Sequence, residues 1–150
     1  MQARRALVAD LPGIVLDTNV ALDWLAFRDP RVRGVAQAIL QHHVGWLSCP
    51  QMRSELLHML AHRSLAHCAP DTTRARALLD AHARLLTDPV ATAQPPRPVC
   101  TDADDQIFVD LALEHRARWL LTRDKALLKL ARKLATRGLQ VMEPGQWPGQ

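Results

Sequence analysis

Residues 12–19 read Pro12-Gly13-Ile14-Val15-Leu16-Asp17-Thr18-Asn19. A short apolar, β-branched run behind a Pro-Gly turn has the form of a buried strand. The run stops at Asp17. Asn19 is the residue type that caps a helix, here one carrying Val20, Leu22, Trp24 and Leu25.

The same alternation extends along the chain. Pro30 opens a helix with Val32, Val35, Ala36, Ile39 and Leu40 at helical spacing, and Gly45 ends it. Trp46 to Cys49 reads as a second strand. Pro50 starts a helix with Met52, Leu56, Leu57, Met59 and Leu60 on one stripe. Asp71 is placed to cap another, carrying Ala75, Leu78, Leu79, Ala83 and Leu86. Pro89 to Pro98 is a loop, and Pro98-Val99-Cys100 a minimal third strand. A helix with Ile107, Phe108, Leu111 and Ala112 follows, then the strand Trp119 to Thr122. Asp124 caps a helix through Leu134 that Gly138 stops, and Leu139 to Met142 is a last strand. Strands alternating with helices predict an α/β fold, a three-layer α/β/α sandwich around a central parallel sheet.

The chain has 150 residues, enough for one domain and too few for two. Residues 13–147 are read as that domain, with residues 1–12 as an N-terminal extension and 148–150 as a short tail. No apolar run is long enough to cross a bilayer, and the N-terminus lacks the pattern of a signal peptide. Three cysteines without CxxC spacing argue against a disulfide scaffold, so a cytoplasmic protein is expected. The net charge of +4 admits a polyanionic partner. Between His115 and Arg137 stand Arg116, Arg118, Arg123, Lys125, Lys129, Arg132, Lys133 and Arg137, with Asp124 as the one acid among them. Such a run is by itself a solvated helix face.

In an open parallel sheet, ligands gather beyond the carboxyl ends of the strands. Asp17 directly follows the first strand and Asp124 the fourth. Asp102 follows the expected third strand, with Asp105 one turn on. Glu55, one of three glutamates, stands about two turns into the helix after the second strand. Asp102 and Asp124 are equally well placed as helix caps. Carboxylates crowded at one sheet edge repel each other, and a hard divalent cation removes that repulsion. Mg²⁺ or Mn²⁺ held this way can polarise a phosphoryl oxygen, while the nearby arginines and lysines hold a nucleic-acid backbone.

These segments resemble a known family. Val15-Leu16-Asp17-Thr18-Asn19-Val20 resembles the first motif of PIN-domain nucleases, and Ser48 to Leu60, with Glu55, the second. Cys100 to Phe108 resembles the acidic third motif of a bacterial subfamily of toxin components (VapC-like), and Leu121-Thr122-Arg123-Asp124-Lys125 the fourth. The motifs come in family order between Ile14 and Trp147. The resemblance implies an RNase H-like fold and a Mg²⁺- or Mn²⁺-dependent endoribonuclease. It further implies a toxin held in check by a small antitoxin protein, with a homodimer as a common state. Carried over by position, Asp17, Glu55, Asp105 and Asp124 are the catalytic and metal-binding acids, with Asp102 as an additional one. Thr18, Asn19 and Thr122 would orient the site, and Arg123, Lys125 and Lys129 would bind RNA. The sequence departs from the subfamily at Ala103, where proline is common, and at Gln106, where an aspartate often stands. That leaves Asp102, Asp104 and Asp105 as alternatives, with helical spacing grouping Asp102 and Asp105 on one face.

The same residues admit two further readings. His58 and His62 at i, i+4, near His67-Cys68, have the spacing of a zinc site, but seven histidines are more simply surface residues. A non-catalytic RNA-binding or protein-interaction module on the same fold would bind RNA in a salt-dependent way without cleaving it.

Overall fold

The computed structural model describes residues 11–62, 72–90 and 97–149. Five parallel strands form one sheet: β1 (Gly13–Leu16), β2 (Gly45–Ser48), β3 (Ala83–Leu85), β4 (Trp119–Leu121) and β5 (Gln140–Met142). Their spatial order is β3-β2-β1-β4-β5. Between them lie α1 (Thr18–Leu25), α2 (Arg33–Leu40), α3 (Pro50–Ala61), α4 (Thr72–His82), α5 (Gln106–Glu114), α6 (Lys125–Leu128) and α7 (Ala131–Ala135).

Side-chain alternation along the central strands explains the three layers. Ile14 and Leu16 enter a core shared with α1 to α4, while Val15 enters the opposite core shared with α5 to α7. Trp119 and Leu121 join the first core and Leu120 the second. The centre of the sheet is therefore covered on both faces, as the α/β/α expectation required.

Four local expectations are corrected. Asp17, not Asn19, caps α1, because its carboxylate accepts the Val20 N–H at 2.8 Å. The stretch expected to extend α4 through Leu86 instead leaves the helix at His82 and pairs with β2 as an edge strand. Without β3, the outer backbone groups of β2 would lack partners. Leu86 N–H continues this ladder to Ser48 O at 2.8 Å. Residues 98–100 form no strand. The Gln106 side chain takes over instead, accepting from Cys100 N–H at 2.6 Å and donating to Pro98 O at 3.2 Å. Finally, the single helix expected after Asp124 is two short ones, α6 and α7. Gly138, at φ +84°, follows the second in the left-handed conformation that favours glycine. The Asp71 cap, the His67-Cys68 pair and residues 1–10 of the N-terminal extension lie outside the described residues.

Candidate metal centre

From β1 the chain builds outward through β2 to β3, then crosses to the other side for β4 and β5. The switch point therefore lies between the carboxyl ends of β1 and β4, where an open parallel sheet leaves a crevice. Asp17 extends β1 by one residue, donating its N–H to Leu121 O at 3.2 Å. Thr122 extends β4, donating its N–H to Met142 O at 3.0 Å. Sheet geometry alone thus sets Asp17 beside Thr122.

The Thr122 hydroxyl donates to Asp17 Oδ2 and accepts the Asp124 N–H at 2.9 Å. Both Asp17 and Thr122 are buried. Burial raises the Asp17 carboxyl above its ordinary range, and the bonds from Thr122 and Val20 only partly offset this. Thr18 and Asn19 stand in the first turn of α1 and make no hydrogen bond to Asp17 among the described residues.

Asp102, Asp105 and Asp124 converge beside this pair, with one ligand atom from each within 4.8 Å of the others. Asp102 caps the 3₁₀ turn at residues 103–105, accepting from Asp104 N–H at 3.0 Å. Because side chains three apart eclipse in a 3₁₀ helix, Asp105 falls over Asp102 while Asp104 turns away. Asp124 caps α6, accepting from Ala126 N–H at 2.8 Å. Asp105 is different: its Oδ2 is buried with no hydrogen-bond partner. Burial first, then the adjoining Asp124 carboxyl and the charges of Asp102 and Asp17, push its pKa up to about 7. An unpartnered buried carboxylate oxygen among like charges is a poor arrangement by itself. It suits a hard divalent cation, whose preferred donors are oxygens of this kind. The donor set fits a hard divalent cation.

Glu55 is exposed on α3 and lies outside the three-acid cluster. Lys125 and Lys129 are exposed on and just after α6. The Arg123 guanidinium makes two hydrogen bonds to the buried carboxylate of Asp23, Nε to Oδ2 at 2.8 Å and Nη2 to Oδ1 at 3.0 Å. Sequence reasoning missed Asp23; its only signal was an acid at an otherwise apolar stretch of α1. Gln106 reads in the sequence only as a departure, yet it organises the segment leading to Asp102, accepting from Cys100 N–H and donating its amide N–H to the Asp110 carboxylate at 3.0 Å. His58 and His62 touch ring to ring, at 6.1 Å between centroids, and join no metal-type cluster among the described residues. Cys49 and Cys100 are free and buried, and burial raises both thiols, Cys49 to about 11. No described helix is long and apolar enough to cross a membrane.

The family model for the PIN domain matches residues 13–126, a span that contains the sheet switch point and every acid of the cluster. No curated protein matches the chain.

Proposed function

The chain belongs to the PIN-domain family, whose members are generally metal-dependent nucleases, and on that premise we propose that it is a Mg²⁺- or Mn²⁺-dependent endoribonuclease. The observation that carries this reading is the unpartnered Asp105 Oδ2 within the Asp102–Asp105–Asp124 cluster, beside the buried Asp17.

Asp105, Asp124 and Asp17 would hold the cation, with Asp102 as an additional ligand. Glu55 is the fourth acid of the resemblance, and its place on the site is proposed from that resemblance alone. A bound divalent cation supplies Lewis-acid polarisation of the scissile phosphate and neutralises the acids. Thr122 and the Val20 N–H keep Asp17 in one orientation, so its lone pairs are aimed before substrate arrives. A carboxylate near the attacking water would take up its proton. Lys125 and Lys129 would neutralise backbone phosphates beside the site.

The role of the protein in the cell follows the same resemblance. It would be the toxin of a type II toxin–antitoxin pair, acting in the cytoplasm as a homodimer and inhibited by a small antitoxin. The likeness of Cys100 to Phe108 to the toxin components supports this.

RNA cleavage with and without Mg²⁺ or Mn²⁺, using Asp17→Asn and Asp105→Asn, tests the chemistry. Cleavage should need the metal and both acids, and leave 5′-phosphate and 3′-hydroxyl ends. Activity that survives EDTA, or that persists in both variants, would overturn the mechanism. Salt-dependent RNA binding without cleavage would favour the non-catalytic module.

A further inference from the structure

We propose that Asp23 and Arg123 form a clamp that positions the carboxylates of the metal centre, making Arg123 a positioning residue rather than an RNA contact. The inference rests on the metal-dependent nuclease reading above.

Two chain segments meet here. One is α1, which begins behind Asp17 and carries Asp23 six residues later. The other is the exit of β4, Thr122-Arg123-Asp124. They are tied at Thr122–Asp17 and again at Arg123–Asp23. Six helical residues separate the two ties by about 9 Å along the axis. The β1–β4 ladder and the Thr122 hydroxyl hold only the start of α1 against β4. The second tie holds the helix again at Asp23.

The chemistry of the second tie suits this task. A guanidinium that meets a carboxylate through two parallel N–H bonds fixes orientation as well as distance. Asp23 is 5% exposed, on a helix otherwise lined by Val20, Ala21, Leu22, Trp24 and Leu25. An acid at such a position needs a dedicated partner. The partner comes from the residue between Thr122, which holds Asp17, and Asp124, which belongs to the cluster. Arg123 thus has two of its donors turned inward, toward α1.

The test replaces the pair by apolar residues, Asp23→Leu with Arg123→Met, so that the buried Asp23 carboxylate is not left without its half-exposed partner. Arg123→Lys is made alongside it, keeping the charge but not the fork, and carries the test should the pair variant fail to fold. Mn²⁺ affinity should fall about ten-fold in both, the usual cost of losing a residue that supports metal ligands. In metal-free protein, amide exchange at Asp124 and Ala126 should quicken about ten-fold as these bonds loosen. With RNA, kcat should fall about ten-fold while KM stays within about two-fold.

Unchanged Mn²⁺ affinity and unchanged amide exchange would overturn the clamp. So would a loss confined to KM that Arg123→Lys restores and that weakens the salt dependence, the behaviour of a phosphate contact. If the parent protein cleaves no RNA, the nuclease reading fails separately. The clamp is then judged on Mn²⁺ affinity and amide exchange alone.

Discussion

The Thr122 hydroxyl donates to the Asp17 carboxylate across 105 residues of chain, and both side chains are buried. One hydroxyl serves two acids, because it also accepts the N–H of Asp124. The exit of β4 and the start of α1 are thereby a single hydrogen-bonded unit, and the consequences can be measured.

Thr122→Val keeps the shape and removes only the hydroxyl, leaving a buried carboxylate oxygen and the Asp124 N–H each short of a partner. Stability should fall by about 1–3 kcal/mol in urea denaturation. Cleavage should drop about ten-fold or more, while Thr122→Ser retains most of both. Parent-like stability in Thr122→Val would show that water replaces the hydroxyl.

Asp105 predicts a pH dependence with a definite sign. Its folded pKa, about 7, lies above the unfolded value, so the folded state binds the extra proton. The contribution to stability is complete below about pH 4 and is lost as pH rises through about 7. Metal-free protein should therefore melt at a lower temperature at pH 8 than at pH 5, and Asp105→Asn should flatten that difference. Mn²⁺ should reverse the trend, since it binds the ionised cluster. Melting curves in EDTA and in Mn²⁺ at the two pH values would decide it.

Glu55→Gln separates a ligand from a scaffold residue. Glu55 is exposed and outside the cluster, so the substitution should change stability by less than about 0.5 kcal/mol. If Glu55 nevertheless completes the metal centre, turnover should fall about ten-fold or more. Parent-like turnover would remove Glu55 from the site.

Gln106→Ala should loosen the segment before Asp102. It strips partners from Cys100 N–H and Pro98 O, for a cost of about 1–3 kcal/mol. Hydrogen exchange at Cys100 should quicken while the β1 amides stay protected. Equal exchange at Cys100 in both proteins would mean that another group holds 98–100.

Much of the site was legible because its signals are local. Asp17 and Asp124 announce themselves by following strands, and Asp102 and Asp105 by lying three apart. What escaped was partnership at long range. Arg123 looked like one more member of a basic run until Asp23, 100 residues away, was seen to bind it. Gln106 looked like a missing acid, although its amide supplies the hydrogen bonds expected of a strand.

Sequence alone determined the layered parallel fold, since apolar strands alternating with amphipathic helices can bury their faces in few other ways. It also determined the acid-rich edge, since parallel strands all end on one side. Only the tertiary structure decided which acids meet, that Asp105 Oδ2 lacks a partner, and that Ala83–Leu85 is a strand. Periodicity reports how a residue faces its own element. Whether a backbone edge or a buried charge finds its partner depends on what the rest of the chain brings alongside.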